Sequence, residues 1–537
     1  MNQTKFKMKK IIIKLSFTIF AIGISNFLSA QSTKEILNWY NGDGTGMQTN
    51  KAYKKLKSKK SNNVVVAVID SGIDIEHEDL KGKIWVNKNE IPKNGIDDDN
   101  NGYVDDVNGW SFLGNSKGEN LNEACLEKTR ILKKLSKQFE GIDPANLSSS
   151  EKDQYALFLK VQEEVNKEKE EYEGYLNQLP MIEMMVKQVP TIVAKELKKE
   201  KYTLKDLEKW QPTSMELIQL KEFAIAIETD QFNEKEMADQ KKQLEQLVNF
   251  NLNVEFDDRS LIGDNSADFS DKKYGNNDVE GPDAMHGTHV GGIIGAVRGN
   301  KLGGDGVAEN VSLMVLRAVP NGDEHDKDVA MAVRYAVDNG AQIINMSFGK
   351  SYSMYQKEVS EAFAYADAKG VLLVHAAGND NANMEIDPNF PMAQYSFQKE
   401  PLKHFITIGA STRYPKEKLA ASFSNYGATK VDVFAPGFEI YNTVPQSSYA
   451  KLQGTSMAAP MVAGVAALLK SYFPSLTMLE IKEVILKSSK SYKGTQQIIP
   501  GTDQKGDFAS LSVTGGVVNV LNAVKMCSEI EKTKSVN

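Results

Sequence analysis

The sequence predicts an α/β protein built on a parallel β-sheet, and three patterns point to it. The first is a set of continuous apolar runs rich in valine and isoleucine: VVVAVID (64–70), VSLMVLRAV (311–319), AQIINMSF (341–348), VLLVHAAG (371–378), HFITIGAS (404–411) and KVDVFAPG (430–437). Runs without polar alternation are the pattern of strands buried on both faces. The second is what separates them. DVAMAVRYAVDNG (328–340) and YQKEVSEAFAYADAKG (355–370) repeat apolar residues every three or four positions and end in glycine, as amphipathic helices with a glycine C-cap do. Strands alternating with helices favour a parallel sheet. The third is size: 537 residues, 41% hydrophobic and 25% charged, suffice for a large core carrying an insertion.

From the N-terminus, Lys5, Lys7, Lys9 and Lys10 precede the apolar run LSFTIFAIGI (15–24) and a small-residue cleavage site in LSAQS. That is a signal peptide over residues 1–30, too short in its apolar part to span a bilayer. No cysteine follows the site and no later apolar stretch is long enough to span, so export in soluble form is expected, to the medium or the periplasm. Residues 31–60 are a short basic segment. Residues 121–255 lack strand signals and are dense in Lys and Glu. Tyr155, Phe158, Val161, Val165, Tyr172 and Tyr175 fall largely on one helical face. Ser148 with Glu151, Thr203 with Asp206 and Thr213 with Glu216 offer capping boxes, and Pro180, Pro190 and Pro212 punctuate. The prediction is an all-helical insertion of about five helices, a surface elaboration with its own small core or a partner-binding lid. Export permits a bridge between Cys125 and Cys527, although nothing in their flanks requires one. The net charge of −7 argues against nucleic-acid binding, and a monomer is expected.

Three stretches carry chemistry. In VAVIDSGIDIEHEDL (66–80), Asp70 stands at the carboxyl end of a strand, where open α/β sheets place their sites. In HGTHVGGIIGA (286–296), His286 opens a glycine-rich helix and His289 lies one turn inside. The pair lacks a local third ligand and the intervening Glu of a zinc motif, so His289 reads as packed scaffold. In GTSMAAPMVAGVAALL (454–469), Ser456 opens a helix of small residues. A serine there is commonly a cap, but the helix N-terminus also offers N–H groups to a developing oxyanion. A serine hydroxyl needs a base, and the base needs an orienting carboxylate. The chain supplies them in the order Asp, His, Ser. HAAGNDN (375–381) adds Asn379, whose amide can donate to an oxyanion.

Together, VAVIDSGID, HGTHVGGIIGA, AAGN and GTSMAAPMVAG, supported by FSNYG (423–427) and VDVFAPG (431–437), resemble the motifs of the subtilisin-like serine proteases, or subtilases. The resemblance covers 62–114 and 256–524. It implies a parallel sheet flanked by helices on both faces and a peptidase domain formed by 61–120 and 256–527. The helical insertion interrupts that domain, and 528–537 is left as a tail. It implies a serine endopeptidase in which Asp70 orients the imidazole, His286 is the base, and Ser456 is the nucleophile and lends its own N–H to the oxyanion. Asn379 is the side-chain oxyanion donor, and Ser347, Phe348 and Gly349 line the pocket for the residue before the scissile bond. The related sedolisins carry Glu and Asp where this chain has His286 and Asn379. Rival readings are a non-catalytic, calcium-stabilised relative and a metal hydrolase using both histidines.

Calcium is the expected cofactor, with no organic one. Asp79 matches a calcium ligand of many subtilisins, with Asn300 in VRGNKLGGDG (297–306) as its partner. In GIDDDNNGYVDDVNGW (95–110), Asp97, Asp99, Asn101 and Asp105 space like the early ligands of an EF-hand loop, although Asn108 replaces its final Glu. The alternative is a solvated Asx turn. Two departures stand out. Asp70 and His286 lie 216 residues apart (286 − 70), far more than in the family. Residues 31–60 are also short for its folding prodomain, so either none is needed or the insertion substitutes for it.

Overall fold

The structure, a computed structural model, describes residues 37–229, 232, 234–272 and 274–536; the signal-peptide reading of 1–30 lies outside them. These residues form two compact units, one from Leu159–Asn253 and the other from residues up to Phe158 together with Val254 onward.

The larger unit contains the sheet. Its N-terminal helix α1 is Thr49–Leu56 and its first strand β1 is Val64–Asp70. β2 (Gly109–Ser111), the helix α2 (Glu127–Phe139) and the start of α3 (Ser149–Leu176) follow. The smaller unit takes the rest of α3 and continues with α4 (Leu179–Glu196), α5 (Leu204–Lys209), α6 (Met215–Glu228) and α7 (Glu234–Gln246). The chain re-enters the larger unit through α8 (Met285–Gly295), β3 (Val311–Arg317), α9 (Asp326–Asp338), β4 (Ile343–Met346), α10 (Gln356–Ala368), β5 (Leu372–Ala376), β6 (Phe405–Ser411) and β7 (Val433–Pro436). A hairpin of β8 (Ile440–Val444) and β9 (Ser448–Leu452) leads into α11 (Thr455–Tyr472) and α12 (Met478–Lys487). β10 (Lys490–Ser491), the hairpin of β11 (Gln496–Ile498) and β12 (Lys505–Asp507), β13 (Gly516–Val517) and α13 (Val520–Val536) complete the chain.

The nine-stranded sheet runs β10-β13-β7-β6-β5-β4-β1-β3-β2, parallel except for the β10–β13 pair. All six apolar runs form strands within it. β1 shows why both faces are apolar. Val64, Val66 and Val68 join a core with Val290 and Ile293 of α8 and Met461 and Val465 of α11. Ala67 and Ile69 point the other way, into a core with Met331 and Val333 of α9 and Phe363 of α10. Helices therefore cover both faces, and each fully buried Val or Ile contributes roughly 1.5–3 kcal/mol. α11 is buried almost throughout because its residues are small: a Cβ on Gly464 would stand 2.6 Å from Val307 Cβ.

The region predicted as an insertion over 121–255 holds six α-helices among the described residues, one more than expected. They divide differently from the prediction, since α2 and the first turns of α3 belong to the larger unit. Glu127 and Arg130 of α2 are the physical reason. Arg130 donates to Cys125 O and Asp323 O at 2.7 and 3.0 Å and pairs with Asp258 at 3.3 Å, and Glu127 accepts from Met354 N at 2.9 Å. The smaller unit has its own core of Val189, Val193, Leu207, Phe223 and Ala224. Capping boxes form at Ser148–Glu151 and Thr203–Asp206. The third cap is Ser214 rather than Thr213: α6 starts at Met215, so Ser214 is the residue whose hydroxyl reaches Leu217 N. Pro190 lies inside α4 instead of ending it. Cys125 and Cys527 are both buried, and no disulfide joins them.

Candidate active site

The carboxyl ends of β1, β4 and β5 and the N-termini of α8 and α11 carry the predicted residues. Asp70 is the last residue of β1 and is buried. Its Oδ1 accepts from Ser71 N at 2.8 Å and lies 2.6 Å from His286 Nδ1, while Oδ2 is buried without a hydrogen-bond partner. His286, the second residue of α8, is half-exposed. Gly287 makes this approach possible, since a Cβ there would stand 2.1 Å from Gly72 O and 3.2 Å from Asp70 Cβ. Burial lowers the imidazole pKa, but the Asp70 charge and hydrogen bond, with Asp283 further off, outweigh it and hold His286 above its ordinary 6.5. The carboxylate therefore stabilises the protonated ring and fixes Nδ1 as the nitrogen that carries hydrogen, leaving Nε2 as the basic atom.

Ser456 is the second residue of α11, with the positive end of the helix dipole beneath it. Its Oγ donates to Ser347 O at 3.0 Å, and Ser347 Oγ donates back to Ser456 O at 2.8 Å. No hydrogen bond joins Ser456 to His286 among the described residues. Asn379 follows β5. Its Oδ1 accepts from Thr455 N at 2.8 Å and Thr455 Oγ1 at 3.0 Å, and Thr455 Oγ1 in turn accepts from Gly378 N at 3.1 Å. With its oxygen held, Asn379 presents Nδ2 toward the serine loop, 3.4 Å from where a Cβ on Gly454 would stand.

Ser347, Phe348 and Gly349 continue from β4. His375 in β5 is buried and donates Nε2–H to Phe348 O at 3.0 Å. Burial pushes its pKa down to about 4, so it stays a neutral strut. Asn389 is a second residue that the motifs do not reveal. Its segment pairs with Lys350 through Phe390, and its side chain sits under the strand ends. Cβ atoms on Gly349 and Gly378 would stand 2.4 and 3.2 Å from Asn389 Nδ2, which donates to Ala376 O at 3.2 Å. His289 is buried, as read from its neighbours. Its Nε2–H is shared between Ile440 O at 3.0 Å and Ala450 O at 3.3 Å, and burial pushes its pKa down to about 4.

The predicted cation ligands separate into two groups. Asp79 is buried: Oδ1 accepts from Asn300 Nδ2 at 2.5 Å, Oδ2 has no partner, and burial raises the pKa against that hydrogen bond. In the other loop, Asp97 accepts from Asn101 N and Gly102 N at 3.0 and 2.8 Å, and Asp105 from Asn94 N and Gly95 N at 3.1 and 2.9 Å. These carboxylates serve the turns. The carboxylates that converge, with oxygens within 4.8 Å of one another, are Glu90, Asp99 and Asp106. Asn101 reaches them through Asp106 at 2.9 Å. Burial raises Glu90, whose Oε2 lacks a partner, and pushes Asp106 up to about 6. The sequence offers Asp99 by its spacing and Asp106 only as one of the loop's crowded aspartates, whereas Glu90 joins them only through the fold of the loop.

Comparison with known proteins decides what this arrangement belongs to. The model of the subtilase family matches residues 61–512. The chain belongs to the subtilase family. It is 38% identical over 229 residues to a thermophilic serine proteinase of Bacillus sp. (strain AK1), covering 42% of this chain and 51% of that protein. It is 40% identical to thermitase of Thermoactinomyces vulgaris over 39% of this chain and 69% of thermitase. It is 35% identical to subtilisin DY of Bacillus licheniformis over 37% of this chain and 67% of that protein. The chain spans about half the length of the first of these relatives. In this subtilase the matched family region also contains Thr455, His375 and Asn389. Their roles depend on partners distant in sequence, and no motif spacing signals them.

Proposed function

We propose that this subtilase is an exported serine endopeptidase acting through an acyl-enzyme. The observation that carries the reading is the 2.6 Å bond between His286 Nδ1 and Asp70, set beside a serine at a helix N-terminus. Ser456 Oγ leaves Ser347 O, turns to His286 Nε2 and attacks the scissile carbonyl as the imidazole takes its proton. The oxyanion receives Ser456 N–H and Asn379 Nδ2–H, the latter aimed by Thr455. His286 then protonates the leaving amine, and water repeats the cycle on the acyl-enzyme. Ser347, Phe348 and Gly349 flank the side chain before the cut bond. Residues 1–30 act as the leader, 61–120 and 256–527 as the peptidase domain, and the mature chain as a monomer in the medium or periplasm.

Calcium is the cofactor the oxygen-rich sites suit, because hard cations take carboxylate and carbonyl oxygens. Asp79 and Asn300 would hold one ion, and Glu90, Asp99 and Asp106 another; the buried oxygens without partners on Asp79 and Glu90 support this. The ions would brace two loops and take no part in the chemistry.

The decisive experiment is labelling with a fluorophosphonate. The wild-type chain is expected to label at Ser456, and Ser456→Ala to lose both labelling and peptide hydrolysis with an unchanged melting temperature. A folded wild-type chain that does not label would overturn the reading in favour of a non-catalytic relative. A metal hydrolase using His286 and His289 is disfavoured by the burial of His289 and its engaged Nε2–H.

A further inference from the structure

Glu324, in the loop between β3 and α9, is buried and takes no part in the proposed chemistry. It faces a cavity of about 10 Å³, room for no more than one water, that Lys350, Phe390 and Tyr395 also line. Around it stand Glu127 and Arg130 of α2, Asp258 of the returning chain, Asp323, His325 and Asp326 of its own loop, and Lys350 beyond β4. Arg259 and Lys327 are taken by Asp264 and Asp328, and burial and Arg130 hold His325 below its ordinary 6.5. Five carboxyl groups therefore share two permanent cations, Arg130 and Lys350, and like charges so crowded do not all ionise. Four of the five have donors. Glu127 accepts from Arg130 and Met354 N, and Asp258 from Arg130 and His325. Asp323 accepts from Glu127 N, and Asp326 from Ser353 Oγ and Tyr355 N. Glu324 alone of the five has a buried oxygen, Oε1, without a partner.

Lys350 joins this cluster to the candidate site. It follows Gly349 directly, and two residues before Gly349 the carbonyl of Ser347 accepts from Ser456 Oγ at 3.0 Å. The backbone of Lys350 exchanges hydrogen bonds with Phe390 at 3.1 and 2.9 Å. Its Nζ donates to Glu324 O at 2.6 Å and lies 2.9 Å from Asp326 and 3.5 Å from Glu127. The same Nζ stands 4.0 Å from Glu324 Oε1. A buried carboxylate without a cation is costly, so an ionised Glu324 has to draw on Lys350. We propose that Glu324 and Lys350 form a latch under the Ser347–Gly349 strand. With Glu324 uncharged, Lys350 holds Asp326 and Glu127 and fixes Gly349; as pH rises and Glu324 ionises, it competes for Lys350 and loosens that strand. Burial raises the Glu324 pKa, Lys350 opposes it, and Asp323 and Asp326 add to the rise, leaving it at about 8. The latch rests on the endopeptidase reading only for what the strand binds.

The test starts with amide hydrogen exchange in the full chain carrying Ser456→Ala, which needs no turnover. The reporters are the N–H groups of Met354 and Tyr355, bonded to Glu127 and Asp326. A carboxyl with a raised folded pKa stabilises the joint below its ordinary 4.5, and that stability is lost as pH rises through about 8. Protection of the two amides, taken as a ratio to Glu324→Gln, should therefore fall about a hundredfold from pH 6 to pH 8 and level off above. A ratio constant with pH overturns the proposal. A second readout needs no variant: the wild-type chain should show a protonated-carboxyl infrared band at pH 7 that disappears through about pH 8, and its absence at pH 7 overturns the proposal too. In the active chain KM should rise above about pH 8 and stay level in Glu324→Gln, while the kcat limb set by His286 is the same in both. A KM equally indifferent to pH in both chains overturns the latch. Phosphonate labelling run alongside separates the two readings. A chain that labels but shows a constant exchange ratio fails only the latch, and one that shows the exchange response without labelling fails only the endopeptidase reading.

Discussion

His289→Gln isolates what burying an imidazole costs this fold in acid. His289 is held neutral, with its Nε2–H on Ile440 O and Ala450 O. Burial lowers its pKa from 6.5 to about 4, the charge on His286 adds to this, and the two carbonyls oppose it. The unfolded chain therefore takes up this proton first as pH falls. The stabilisation from a neutral His289 is full above about 6.5 and drains away toward about 4. At pH 5 the loss is about 2 kcal/mol, and at pH 8 it is negligible. Glutamine keeps an N–H donor for the same carbonyls and does not titrate. Any packing cost of the substitution is constant with pH, so the difference between the two proteins at pH 5 and pH 8 cancels it, along with the titration of every other group. Guanidinium unfolding in a Ser456→Ala background, free of self-cleavage, measures that difference. The variant is expected to gain about 2 kcal/mol on the parent between pH 8 and pH 5. An identical pH dependence in both proteins would refute a buried neutral imidazole at this position.

Activity should rise with pH as His286 loses its proton, with a midpoint above the ordinary 6.5 because Asp70 raises its pKa; Asp70→Asn should move the midpoint down and cut kcat by about 10⁴, and a pH–rate profile on a small ester checks both. If Asn389 bounds the pocket beside Gly349 and Gly378, Asn389→Gly should raise kcat/KM for a phenylalanine before the cut bond relative to alanine by about tenfold or more; an unchanged ratio on paired peptides would refute that placement. Chelation followed by calcium titration should restore a lost increment of melting temperature, about 2.7 kcal/mol of stability at 100 times the dissociation constant, and Glu90→Gln should shrink that increment. A melting temperature indifferent to chelator and calcium would sink the cation sites.

The strands were legible because each is written locally. Six valine- and isoleucine-rich runs became strands, since a strand buried on both faces needs nothing but apolar residues. The candidate residues Asp70, His286, Ser456 and Asn379 each lie in a glycine-rich motif at or just beyond a strand end or a helix start, and the fold brings His286 to Asp70 across 216 residues. The small errors were also local: α6 could start after either Thr213 or Ser214, and only the realised backbone chose Ser214.

What the sequence determined by itself was the fold class and the helical character of 121–255, because periodicity and motif spacing are short-range properties. Tertiary structure alone decided which groups meet. Asn389 lies under Gly349 and bonds Ala376, Thr455 holds the oxygen of Asn379, and Glu90 and Asp106 join Asp99 while Asp97 and Asp105 cap turns. α2 belongs to the larger unit because Arg130 and Glu127 find buried partners at 258, 323 and 350. Each of these pairings joins positions whose distance in space is set by chain folding rather than by spacing along the chain, and a buried charge or amide shows its purpose only when its partner is in place.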